Sequence, residues 1–235
     1  MHFLSIESST KNFTLAVSRD DKVLRHKTVR NSTLLENVIL PNIDALLKLA
    51  KVPFKKIDAF VVSLGPGSFT SLRVGLATVK AFCLATQKPM VGICSLDVIA
   101  NGAGGIACDE ICVLIDARRN LVYSAIYQRT NTGLRLSKTY ALSSLADVLK
   151  HVHGTTLFVG DALGLYQPEI KEAYAHCAKT CKALFAPQKL WLPKAEVLAH
   201  LGFERLQKKE FDEAASVAPI YLYDDDCQVQ GKLKK

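Results

Sequence analysis

Two stretches of this 235-residue chain bring together residue types that could do chemistry. In "LSIESST", Glu7 closes an apolar run and three hydroxyls, Ser8, Ser9 and Thr10, follow it. A carboxylate can hold a hydrated magnesium ion, while hydroxyls and backbone N–H groups can bond phosphate oxygens. The turn is therefore a candidate for the terminal phosphates of a nucleotide, although a plain polar turn accounts for the same residues. In "SLGPGSFTSLRVG", residues 63–75, Gly65, Gly67 and Ser68 join an apolar strand to an apolar helix, the general form of a backbone anion cradle. It is not a Walker loop, because no Gly-Lys-Ser/Thr follows Gly65 at the required distance. Nor is it G-x-G-x-x-G, because Thr70 stands where the third glycine belongs. A helix N-terminus attracts an anion loosely, and capping by Ser68 with close strand-to-helix packing explains the stretch equally well.

Other chemistries lack their residues. Nucleophilic catalysis needs Ser or Cys beside a positioned base, yet His2, His26, His151, His153, His176 and His200 stand in no such motif, and there is no HExxH. Seven scattered cysteines argue against a secreted disulfide framework. Cys108/Cys112 and Cys177/Cys181 have helical spacing without forming CxxC, so no metal site is expected. A start lacking a basic region and a long apolar stretch, and no run of eighteen apolar residues, lead to an expected cytoplasmic location without a membrane. The formal charge of +8 and pI near 9.1 favour a polyanionic partner such as RNA, or an acidic protein surface. Basic residues cluster only at Lys55/Lys56, Lys208/Lys209 and the tail beyond Asp224–Asp226, which is expected to fray.

These residues need elements to carry them. Residues 2–7, 12–18 and 22–30 read as three strands parted by polar turns, 32–50 as a helix, 57–64 as a buried strand, 69–86 as a second helix and 90–94 as a strand. Hairpin strands followed by alternating helices and strands make a mixed sheet with helices on it. "CVLIDARRNLVYSAIY" then repeats the form of "HFLSIESSTKNFTLAV", with Asp116 in the place of Glu7. Two related halves are expected, 1–107 and 108–235, joined at the glycine-rich "NGAGG". In the second turn Ala117, Arg118 and Arg119 stand where Asp-x-Gly would admit phosphate. "TTLFVGDALG" reads as strand then turn, and 194–208 as a last amphipathic helix.

Apolar positions of 34–50 cover about two thirds of the helix circumference, more than a one-sided stripe. The helix at 69–86 has only Arg73 and Lys80 as charges, seven residues apart, and carries small residues at four-residue spacing. Excess apolar surface on two neighbouring helices points either to an interaction face or to cover by the second half.

"LSIESST", "SLGPGSFTSLRVGLATVKAFCLA", "KPMVGICSLDVIA" and "IDARRNLVYSAIY" resemble, in order and spacing, the TsaB (YeaZ) family of tRNA threonylcarbamoyladenosine-modification proteins. The resemblance is dense over residues 1–128 and thins to "FVGDALGLY" and "APIYLY". Ser71 replaces a usual glycine, Glu7 a usual aspartate, and Leu35 stands where the family has histidine. The resemblance implies an α/β, two-lobed actin-like fold with mixed sheets flanked by helices. It also implies a non-catalytic subunit that pairs as a heterodimer with a TsaD-type threonylcarbamoyl transferase, with a TsaE-type ATPase and tRNA joining the complex. No cofactor is expected to be tightly bound, with ATP or ADP and magnesium placed at the complex interface; the free chain could form a homodimer. In the family two N-terminal helices pack on those of TsaD, which puts Leu35, Val38, Ile39, Leu72, Gly75, Leu76 and Val79 at the partner interface. The competing reading is a small-molecule kinase of the sugar-kinase type using Glu7, Ser8, Ser9, Gly65, Gly67 and Ser68. The protease label once given to the superfamily has no residues behind it.

Overall fold

Alternating apolar residues at the start of the chain build β1 (His2–Glu7), β2 (Phe13–Arg19) and β3 (Lys22–Val29) as antiparallel neighbours. The chain then crosses through α1 (Leu35–Ala50) to β4 (Ala59–Gly65), which pairs parallel to β1, and through α2 (Phe69–Thr86) to β5 (Met90–Cys94). This gives a five-stranded mixed sheet in the order β3-β2-β1-β4-β5. The computed structural model describes residues 1–10, 12–30, 35–175 and 181–223; Cys177, His176, Cys227 and the C-terminal tail lie outside them.

A short helix that the sequence reading left out, α3 (Ser95–Gly102), leads to the second sheet. There β6 (Glu110–Arg118), β7 (Leu121–Thr130) and β8 (Gly133–Ser143) form the hairpins. They are followed by α4 (Leu145–Leu149), β9 (Thr155–Val159), α5 (Leu163–Ala175) and β10 (Lys182–Phe185). The order β10-β9-β6-β7-β8 reproduces the first sheet strand for strand, and Asp116 stands near the end of β6 as Glu7 closes β1. The expected duplication is thus present in topology.

The last helix, α6 (Ala195–Gln207), departs from the expected division at 108–235. It leaves the second sheet and packs Ala195, Leu198, Ala199 and Leu206 on Phe3, Val61, Val91 and Ile93 of the first. Residues 212–220 follow it back: Asp212 pairs with Met90, and the Ile220 N–H donates to the Leu64 carbonyl at 2.7 Å. Both faces of the first sheet are therefore covered, one by α1 and α2, the other by α3 and α6. Burying both faces is what strands such as "AFVVSLG" require, since their apolar residues run consecutively rather than alternating.

The glycine-rich linker is pinned rather than free. Arg129 donates to the carbonyls of Gly104 and Ile106, each at 2.8 Å, and of Cys108 at 3.2 Å. Cys108 lies in this loop while Cys112 is buried in β6, so their four-residue spacing is not helical.

Candidate functional site

The hydroxyl turn sits between the lobes, but its donors face inward. Glu7 is fully buried, and its Oε1 accepts the Ser9 N–H at 2.7 Å. The Ser8 N–H goes to the Ser63 hydroxyl of β4 at 3.2 Å. Burial pushes the Glu7 carboxyl above the ordinary glutamate range, against the lowering pull of the neighbouring Ser9 and Ser63 groups. Its Oε2 and the hydroxyls of Ser8 and Ser9 are sealed from solvent with no well-formed hydrogen bond.

The glycine-rich loop closes over this turn. The Ser68 N–H donates to the Ser9 carbonyl at 2.7 Å. A Cβ on Gly67 would lie 2.1 Å from that same carbonyl oxygen, so no other residue fits there. Gly65 turns the chain at φ +90°, a conformation that favours glycine. Ser68 occupies the N-cap position of α2, yet its side chain makes no capping bond and reaches Ser71 at 3.0 Å. The expected side-chain cap is therefore absent; the loop is held by close backbone approach.

Across the cleft, Arg118, Arg119 and Asn120 form a left-handed turn. Asp116 ties it down, accepting the Arg118 N–H at 2.9 Å and pairing with that guanidinium at 3.2 Å. The Asp116 N–H donates to Asp161 at 3.0 Å, and burial raises the Asp161 carboxyl above its usual range. The cleft lined by Ser9, Thr10, Ser68, Asp116, Arg118 and Asp161 encloses about 500 Å³. That volume suits a small molecule, but the residues do not fit terminal phosphates. Two N–H groups of the first turn are spent internally, its acid is out of reach, and the second turn carries arginines where glycine would let phosphate approach. Among the described residues no three His, Cys, Asp or Glu side chains are grouped to hold a metal ion.

The two helices behind the loop need a correction. Leu35, Ile39, Leu72, Gly75, Leu76 and Val79 are all buried and Val38 is half-buried, so these seven make no exposed face. Leu35, Ile39, Leu76 and Val79, with Val38 at the edge, pack in one cluster with Leu4, Ile6, Leu15 and Val62 of the first sheet. Gly75 lies so close to the hydroxyl turn that a Cβ there would meet Ser8 Oγ at 2.2 Å. The helical wheel showed how much apolar surface there was but not which side the sheet takes.

What α2 leaves outside is largely apolar or small, with Arg73 as its exposed charge. Thr70, Ala77, Ala81, Leu84 and Ala85 are exposed, with Val74 and Thr78 half-buried beside them. By length and composition alone α2 could cross a membrane, at mean hydropathy 1.2. Its two charges turn to the C-terminal segment instead: Arg73 lies 3.8 Å over the Phe69 ring and donates to the Tyr221 hydroxyl at 3.0 Å, and Lys80 reaches the Ala215 carbonyl at 3.3 Å. On α1, Val38, Pro41, Ala45 and Leu49 recur at helical spacing along a stripe that runs from the edge of the core, where Val38 is half-buried, out to Leu49, which is 63% exposed.

One polar cluster escaped the sequence reading. Asp97, in the first turn of α3, accepts the hydroxyls of Tyr127 at 2.6 Å and Tyr140 at 2.8 Å. Burial raises the Asp97 carboxyl and both phenols, and it pushes the nearby Cys94 thiol up to about 12. The cluster bolts α3 to the second sheet, and no spacing rule joins residues this far apart in sequence.

A sequence model of the family described as TsaD: tRNA N6-adenosine threonylcarbamoyltransferase matches residues 31–229. The chain is 36% identical over 126 residues to an uncharacterised protein of Mycobacterium tuberculosis, covering 53% of this chain and 58% of that one. The match thus spans little more than half the length of that relative. It is 26% identical over 226 residues, 94% of each chain, to the tRNA threonylcarbamoyladenosine biosynthesis protein TsaB of Bacillus subtilis. In three dimensions it is similar to YeaZ from Pseudomonas aeruginosa, with a TM-score of 0.76 at 23% identity, over 94% of this chain and 99% of that one.

Proposed function

Because the chain belongs to the TsaD family of tRNA N6-adenosine threonylcarbamoyltransferases, and within it to the TsaB (YeaZ) group, we propose that it is an accessory subunit. It binds a TsaD-type catalytic subunit as a heterodimer and supports formation of N6-threonylcarbamoyladenosine at position 37 of tRNAs reading ANN codons. The observation that carries this reading is the outer face of α2. An exposed helix face with small residues at 77, 81 and 85, and with Arg73 at its N-terminal end held against Phe69 and Tyr221, lets a second helix approach closely, and it leaves apolar surface that a partner would cover. The interface is thus assigned to Val74, Ala77, Ala81 and Ala85, with the α1 stripe through Val38 and Leu49, in place of the buried residues beneath them.

In this reading the chain does no chemistry of its own and acts in the cytoplasm. ATP or ADP with magnesium belongs to the interface with the partner, a TsaE-type ATPase joins the complex, and tRNA is reached through it. The kinase reading is disfavoured by the inward-facing donors of the hydroxyl turn.

The test is the molar mass, by light scattering, of the chain alone and mixed with the TsaD protein of the same source. A one-to-one complex is expected. Ala81→Arg, which sets a long cation on the outer face without touching the core, is expected to weaken it about a hundredfold, or roughly 2.7 kcal/mol, with the melting temperature unchanged. Absence of a complex between two folded proteins would reject the proposal.

A further inference from the structure

The hydroxyl turn fails as a phosphate cradle, yet it is built with care, and its contacts lead to α2. We infer that Glu7 is a positioning residue: with Ser8 and Ser9 it forms a socket that seats the loop before α2 and the first turns of that helix. The socket itself is formed by contacts within this chain. Its consequence for a partner rests on the subunit reading above.

A continuous set of hydrogen bonds runs from the carboxyl to the helix. Glu7 Oε1 accepts the Ser9 N–H at 2.7 Å, the Ser9 carbonyl accepts the Ser68 N–H at 2.7 Å, and the Ser68 carbonyl accepts the Leu72 N–H at 2.9 Å. A second tie, from the Ser8 N–H to the Ser63 hydroxyl, fixes the turn to β4, the strand from which the loop departs. Steric fit works along the same path. Gly67 presses on the Ser9 carbonyl and Gly75 on the Ser8 hydroxyl, each so closely that a Cβ would overlap. The two glycines lie eight residues apart and meet adjacent residues of one turn, so loop and helix are keyed to it at two points. The socket is dry: Glu7 and Ser8 are fully buried and Ser9 is 2% exposed. In such a place the Ser9 N–H needs an acceptor, because a buried donor left unpaired loses its water without replacement. A glutamate side chain is long enough to curl back two residues and supply one.

The carboxyl's burial adds a chemical detail. Burial raises its pKa, and what the Ser9 N–H takes from it is an acceptor oxygen. Glutamine offers the same acceptor oxygen without the ionisable proton.

The test is backbone amide exchange on the isolated full chain, comparing wild type, Glu7→Ala and Glu7→Gln. Glu7→Ala is expected to speed exchange at Ser9, Ser68 and Leu72 about tenfold more than at the amides of β6 and β9, and Glu7→Gln to restore protection. Gly75→Ala, which pushes on Ser8 from the helix side, is expected to loosen the Ser8 and Ser9 amides and covers the case in which Glu7→Ala does not fold. With TsaD added, Glu7→Ala is expected to lose about tenfold in affinity and Glu7→Gln to regain it. Uniform acceleration across both lobes, or a glutamine variant no better than alanine, overturns the inference. Wild type that fails to bind TsaD while showing the local exchange pattern overturns the subunit reading and leaves the socket standing.

Discussion

Glu7, Asp97 and Asp161 are acids in sites that disfavour their charge, each raised chiefly by burial. A raised pKa in the folded state means that folding takes up protons in the interval between the unfolded and folded values. Such a group contributes stability that is fully present below its unfolded pKa, about 4 for a carboxyl, and is lost as pH rises through the folded one. Glu7→Gln removes one contributor without removing its acceptor oxygen. The melting temperature of the variant minus that of wild type is therefore expected to grow between pH 4 and pH 8; a gap that stays flat or shrinks would contradict the burial account. At this scale the sequence was half legible. An acid followed by hydroxyls announced a special turn, but nothing in the spacing says whether N–H groups point out to a ligand or back to the acid. That is decided by Ser63, which lies on a strand 55 residues away. Asp97, Tyr127 and Tyr140 gave no signal at all, being joined only by tertiary packing.

Elements were easier to read than their faces. The strands of the first sheet, β6, β7 and β9, with α1, α2 and α6, follow from periodicity, because burial on one or both sides imposes it; β8, β10, α4 and α5, short or half-exposed, went unread. The orientation of α1 and α2 was missed, since a helix apolar around most of its circumference has more than one plausible inner side. The two charges of α2 did carry information: Arg73 and Lys80 mark the edge covered by the C-terminal segment. That segment is anchored by Asp212, which accepts the Gly92 N–H at 2.7 Å and pairs with Arg205 at 3.2 Å. The site is partly buried and the acceptor is charged. Asp212→Ala is thus expected to cost about 1.5–3 kcal/mol in urea unfolding, with Glu210, 3.6 Å from Arg205, offsetting little of it. A loss below about 0.5 kcal/mol would show that the segment is not held there.

For the whole molecule the internal repeat was the most telling sequence feature, because two hairpins whose first strand runs out to an acid imply two sheets of one topology. What it could not show is that the chain returns. After α6 the segment crosses the first sheet and ends on the seam between lobes. The Tyr221 ring lies 5.3 Å from Phe69 at the start of α2, and Tyr223 meets Tyr123 edge-on while its hydroxyl donates to the Ala117 carbonyl. Tyr221 thus touches the first lobe and Tyr223 the second, and with Leu222 between them they wall an apolar cavity of about 280 Å³ with Gly67, Leu72 and Tyr123. Apart from α3 and its Asp97 bolt, little else described at the cleft spans the two sides. Truncation after Val217 is therefore expected to leave each sheet intact and loosen their mutual position. Amide exchange should rise in the Arg118–Asn120 turn and at the start of α2, while the centres of β1 and β6 stay protected. If the strap were only a surface tail, neither region would change. If it were part of the folding core, protection would fall everywhere, because the first sheet would lose one of the layers that keep it dry.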